Sequence, residues 1–519
     1  MATKKLIEVA LPLEKINAAA AYEKMPGIGP HPRGIHLWWA RRPFTAARAV
    51  IWASLIDDPS SHPELFPTEE EQNKERERLF SILENLSDWK NSNDIEILEA
   101  ARNEILKATD NNPPELLDPF SGGGAIPLEG IRLGLNSYAH DLNPVAVMIN
   151  KAMIEIPSRF MGCSSVHPEE IKFPIDKEWT GVQGLAEDFD FYSAWMEAEA
   201  KKSLGHLYPE VKLQKPYGSG SAKVIAWLWS RTIKCPNPAC GCETPLFKSA
   251  YLSKKKGRIS WVKPIFENNE VSFEVMHDGK PELDGTVNRK GAICVHCGTP
   301  IDFPYIRDEG KEGRMGVRLI ATVAERKGGR IYLNPDDEQS RCANVSKPED
   351  YPDASLPNNP RNFNTPIYGL DTFAKLFTNR QLTTLTLFSD LIQEVQKRVE
   401  SDALLKGMDD DHIPFAEGGK GARAYSEAVC TYLAFAVDRL ADFSTSVSRW
   451  AVTNEKAMNC FNKQSIPMTW DFPEVNILGD SVGSFSQITS YIKDCICTLP
   501  SSHAIGRAIQ HNAQVDCGL

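Results

Sequence analysis

The stretch "LLDPFSGGGAIPLEGIRLGLNSYAHDLNPVA", residues 116–146, decides how the rest of the chain is read. Leu116 and Leu117 close an apolar run. Asp118 follows where a loop would leave a strand's carboxyl end, the edge at which open α/β sheets bind ligands. Gly122, Gly123 and Gly124 let the backbone take positive φ and come close to a bound molecule. A helical pattern follows, with Pro127 tolerable in its first turn and Gly134 placed to stop it. The run "NSYAH" reads as a second strand that delivers Asp141 about twenty residues beyond the loop, the separation at which an acid grips ribose hydroxyls.

Chemistry separates the loops that share this outline. A Walker loop needs Gly-Lys-Ser/Thr after its glycines, and none is present. The dinucleotide fingerprint needs a glycine where Pro127 stands, and Asp118 would repel a pyrophosphate. The acid suits a cation instead, such as the ammonium of S-adenosylmethionine, which carries a sulfonium and no phosphate.

These residues, with "HDLNPVAVMINKAM", resemble the cofactor half of amino-methylating DNA methyltransferases. "HLWWARRPFTAARAVIWA", "IAWLWSRTIKCPNPACG", "LFTNRQLTTL" and "SIPMTWDFPEVN" are similar, in the same order, to segments of the adenine-specific DNA methylases that carry a zinc ribbon. The resemblance runs from about Leu6 to the C-terminus. It implies a Rossmann-like, S-adenosylmethionine-dependent methyltransferase fold (α/β) with an inserted zinc-ribbon β subdomain and a helical region. It also implies a cofactor held by Asp118, Pro119, Phe120, Ser121, Gly122, Gly123, Gly124, Asp141 and Asn143, and methyl transfer to the exocyclic amine of adenine in DNA.

Twelve cysteines in a chain without a signal-type apolar start point to a reducing, cytoplasmic setting and to metal ligation rather than disulfides. Cys235 and Cys240 form a C-x4-C pair, and Cys294 and Cys297 a C-x2-C pair. Together they predict a closed, structural tetrahedral zinc site, with Cys242 a spare beside Cys240. The other seven, Cys342 and Cys430 among them, lack ligand spacing and read as small packed hydrophobes. Around the ribbon, "SKKKGRISWVK" and "NRKG" read either as a contact to a DNA backbone or as solvated hairpin tips. In "HLWWARRPFTAARAV", Trp38 and Trp39 are expected to fill the core of a helical segment, with arginines paired to acids. The alternative is a segment that closes over the methionine end of the cofactor; Arg41 and Arg42 fit either.

The chain has 519 residues, 42% hydrophobic and 24% charged, which suits a globular protein of two to four domains. A net charge of −11 does not suggest a nucleic-acid binder, though it is silent about a local basic groove. No run is long enough to span a bilayer. The expected divisions are 1–56, an N-terminal segment packing on the cofactor domain; 57–110, a charged helical insert; and 111–165, the cofactor half. They continue with 166–234, a helical connector; 235–305, the zinc ribbon; 306–367, a linker; 368–455, a helical region; and 456–519, a return to the methyltransferase domain.

The resembled family frees the adenine amine with a D/N/S-P-P-aromatic turn. Here the only Pro-Pro is Pro113-Pro114, followed by Glu115 and placed ahead of the cofactor strand. No Pro-Cys dipeptide exists, so the nucleophile of cytosine ring methylation is missing as well. The C-terminal segment "YIKDCICTLPSSHAIGRAIQ" resembles the family segment just ahead of that turn. The expectation is therefore a truncated or split N-terminal portion, paired with a separate C-terminal polypeptide. The competing expectation is a non-catalytic cofactor- and DNA-binding subunit of a restriction-modification or phage-defence complex.

Overall fold

A computed structural model describes residues 3–168, 178–213, 217–461 and 463–515. The chain is mixed α/β and divides into two compact units. One comprises Met1–Tyr192, Val395–Phe435 and Tyr491–Leu519, the other Ser193–Glu394 and Ala436–Ser490. Among the described residues no helix is long and apolar enough to cross a membrane.

The first unit contains a parallel three-stranded sheet in the order Leu116–Asp118, Ser137–Asp141, Gly506–Gln510. Asp118 pairs with Ala139, and Asp141 with Gln510, so both predicted acids stand at the carboxyl ends of neighbouring strands. The helix between the first two strands, Ala125–Arg132, starts on Gly124 at φ +76°, a left-handed conformation that favours glycine. It stops as the sequence predicts. Gly134 lies at φ +87°, its N–H donates to Ile131 and that of Leu135 donates to Gly130, the paired bonds of a Schellman motif. Gly130 also permits close helix–sheet packing, since a Cβ there would lie 2.4 Å from Ser137 Oγ.

The expected charged insert is two amphipathic helices, Glu69–Ser87 and Ile95–Ala108. A Thr68/Glu71 capping box opens the first. Their polar faces are solvated, but Leu79, Leu83, Leu86, Leu98, Ala101 and Ile105 are buried with Trp52 in one core.

The second unit is built on an antiparallel sheet whose central strand is Val224–Lys234. That strand pairs with Gly316–Arg326 on one side, and with Asp471–Val475 and Glu243–Leu246 on the other. Three expectations are corrected here. The region 166–234 holds the helix Gln183–Leu204 but ends in this strand, buried on both faces over ten of its eleven residues. A fully buried strand shows no period-2 alternation, and its apolar run is ambiguous in sequence. The expected linker 306–367 contains the helix Phe303–Lys311 in part, the hairpin Gly316–Arg326/Gly329–Leu333, and the helix Asp337–Ala343; its longest stretch without a named helix or strand is 344–365. The expected return over 456–519 is divided, because Asp471–Val475 joins this antiparallel sheet while Gly506–Gln510 joins the parallel one. The span 235–305, read as a zinc ribbon, is built of hairpins. Asn268 and Asn269, both at positive φ, make the two-residue turn between Ser260–Glu267 and Glu270–Met276. The helical region holds Asn379–Leu405 and Ala422–Phe443.

Candidate functional site

The loop after the first strand is held from three sides. Asp141 Oδ2 accepts the Gly122 N–H at 2.9 Å, and its Oδ1 accepts the Asn143 N–H at 2.9 Å. Ser121 donates its N–H and its hydroxyl to the His140 carbonyl. Asn150 Nδ2 donates to the Gly122 carbonyl at 3.0 Å. Asn143 caps the next helix, its Oδ1 accepting the Val145 N–H. Asp141, Ser121 and Asn143, expected to face a ligand, thus also build the loop. Pro119 lies in the turn, and Phe120 is 78% exposed.

Asp118 is different. It is buried, accepts one hydrogen bond, from the Phe120 N–H, and has no cationic partner among the described residues. Burial, assisted by the charge of Asp141, pushes its carboxyl above the usual range. Close to Gly124, the buried Asn150 Oδ1 has no donor. A carboxylate without a cation and an amide oxygen without a donor, at one glycine turn, suit an ammonium-bearing ligand.

The tryptophan segment is corrected. The helix begins only at Phe44, so Trp38 and Trp39 lie ahead of it, Trp39 48% exposed and Trp38 half-buried. Trp38 rests on the glycine loop. A Cβ at Gly122 would stand 2.7 Å from its indole nitrogen, and one at Gly123 would stand 3.1 Å from its Cβ. Part of the reason these positions are glycine is therefore the indole above them. Of the arginines, Arg48 is fully buried and pairs with Glu129 at 2.5 Å, whereas Arg41 and Arg42 are exposed. The start of the Phe44–Leu55 helix is fixed by buried Glu23, which accepts the amides of Phe44 and Thr45 and hydrogen-bonds His31.

In the second unit, Cys235, Cys240, Cys294 and Cys297 converge, with sulfurs within 4.8 Å of one another, and can hold a metal ion. Two of the spacings are 3.7 Å (Cys235–Cys297) and 3.9 Å (Cys240–Cys294). A tetrahedral ion with ~2.3 Å metal–sulfur bonds requires edges of about 3.8 Å. Each pair sits on a tight turn, closed by Gly241 N–H to the Asn237 carbonyl and by Gly298 N–H to the Cys294 carbonyl. Cys242 is not one of the four; its sulfur lies 3.4 Å from Asn269 Oδ1. His296, whose Nδ1 is 3.6 Å from the Cys240 sulfur, was not legible as a neighbour, because nothing in the C-x2-C spacing marks the residue between. Two of the four cations of the basic hairpin "SKKKGR" are paired: Lys255 and Arg258 both meet buried Glu455.

The profile of a family described as a protein of unknown function (DUF1156) matches residues 10–82, the segment that carries Glu23, His31, Trp38, the helix Phe44–Leu55 and most of the helix Glu69–Ser87. No curated protein and no solved structure matches the chain.

Proposed function

We propose that the first unit binds S-adenosylmethionine and that the chain serves transfer of its methyl group to the exocyclic amine of adenine in DNA, on a Rossmann-like methyltransferase fold. One observation carries this reading: Asp118, buried and without a cation among the described residues, at the carboxyl end of a parallel strand whose neighbour ends in Asp141. Asp118 and Asn150 would accept the donor's ammonium, the glycine turn would admit its amino-acid end, and Asp141 would take the ribose from the side opposite the loop amides. When bound, the donor supplies an electrophilic methyl group. Trp38, on the glycine loop, is placed to shield that end from water. The cysteine cluster, read as a structural zinc site, braces the second unit and has no part in the transfer.

A second reading is favoured by one sequence fact: this chain contains no D/N/S-P-P-aromatic turn. In that reading it is the donor- and DNA-binding subunit of a restriction-modification or defence complex, and another polypeptide supplies the turn. Calorimetry with S-adenosylmethionine tests the shared premise. We expect saturable binding by the wild type and a loss of at least about a hundredfold in Asp118→Ala, the scale of a buried charge-assisted contact. Equal binding by both would overturn the assignment. Tritiated methyl incorporation into DNA by this chain alone would favour the first reading over the second.

A further inference from the structure

Two adjoining cavities of the second unit, about 620 and 540 Å³, share Lys248, Pro467, Met468 and Trp470 and form one groove. We propose that this groove binds a single-stranded polynucleotide, with unstacked bases against its aromatic rings and phosphates on its cations.

Five cations line it, Lys248, Arg289, Arg361, Arg449 and Lys463, against one acid, Asp471. All five are exposed, and none forms an ion pair among the described residues. In a chain of net charge −11, where Lys255 and Arg258 of the other basic hairpin pair with Glu455, this is a local concentration of positive charge. Such a strip attracts a phosphate backbone irrespective of the sign of the whole molecule.

The same walls carry the half-buried rings of Tyr251 and Trp450 and the largely buried rings of Trp229, Trp470 and Phe472. Trp450 is anchored, its indole N–H donating to the Leu252 carbonyl at 2.9 Å. Trp229 is not: it is 9% exposed and its indole N–H has no acceptor among the described residues. An unsatisfied indole donor just beneath a cavity wall is one that a small movement of the wall brings to a base in the groove, and every nucleobase carries an acceptor. Aromatic faces between phosphate-binding cations are how proteins hold unstacked single strands, whereas a duplex keeps its base faces covered.

The groove is also stiffened. Trp470 and Met468 pack in the same core as Cys235 and Cys294, and Arg289 follows Val287, which bridges to Ala292 on the cysteine hairpin.

The test uses the full chain and fluorescence anisotropy with a labelled single-stranded oligodeoxynucleotide, its RNA counterpart and the duplex, at two salt concentrations. We expect both single strands to bind more tightly than the duplex; a preference for DNA or for RNA then names the natural ligand. Arg289→Glu with Arg361→Glu, and separately Lys463→Glu, should weaken single-strand binding about tenfold and flatten its salt dependence without changing the melting temperature. Trp229→Phe keeps a ring but removes the N–H, and should weaken binding without lowering the melting temperature. Unchanged affinity in the charge reversals, or a duplex bound as tightly as the single strand, would overturn the proposal. S-adenosylmethionine binding, read in the same samples, belongs to the other unit, so either proposal can fail while the other stands.

Discussion

Asp118 is the residue where stability and binding pull apart. Its carboxyl is held above the ordinary carboxylate range by burial, with the Asp141 charge adding to the effect. The folded chain therefore keeps a proton that the unfolded chain has released. Stability falls as pH rises from the ordinary value of about 3.9 through the raised one. Asp118→Asn keeps an acceptor for the Phe120 N–H and removes the charge. At pH 7 the variant should melt above the wild type, and the two should converge on acidification below about pH 4. Thermal melts across pH check this, and a variant that melts lower at pH 7 would contradict it. A gain in stability with loss of donor binding is what a ligand-directed acid produces. The glycines beside it were legible for a partial reason: positive φ at Gly122 and Gly124 is local, but the indole of Trp38 over Gly122 and Gly123 is not.

At the scale of elements, the cysteine hairpins depend on what joins them. Strands of three residues, Gly291–Ile293 and Pro300–Asp302, are too short to be stable by themselves. Metal binding by four thiolates would supply what the hairpins lack. Purified protein is expected to carry one zinc per chain by elemental analysis. Chelation, or Cys294→Ser, should release it and lower the melting temperature of the second unit. A metal-free protein with unchanged melting would remove the structural role. The two pairs were readable because each is a local turn with its ligands three or five residues apart; their convergence rests on the 53 residues between Cys240 and Cys294 folding back.

At the scale of the whole molecule, the two edges of the parallel sheet are treated differently. The 506–510 edge is covered: Glu155 accepts the Ala508 N–H and Ser158 Oγ that of Gly506. The 116–118 edge pairs on one side alone among the described residues, and Leu117 on it is 42% exposed. A bare edge with an apolar side chain invites association. The chain should self-associate with rising concentration, and Leu117→Lys should suppress this without lowering the melting temperature. Light scattering and sedimentation read the difference; equal association in both proteins would exclude that edge as the cause.

What the sequence by itself determined is what a short window contains: strand, glycine turn, helix stop and second acid over 116–146, the two cysteine pairs, the capped helices of 69–108 and the asparagine turn at 268–269. Each is specified by φ preference, capping or ligand spacing within a few residues. The tertiary structure alone decided that Val224–Lys234 and Gly316–Arg326 are central strands, that Trp38 lies on the glycine loop, and that Lys248, Arg289, Arg361, Arg449 and Lys463 share one groove. A strand buried on both faces loses the alternation that would announce it, and cations brought together from five separated segments carry no periodicity at all.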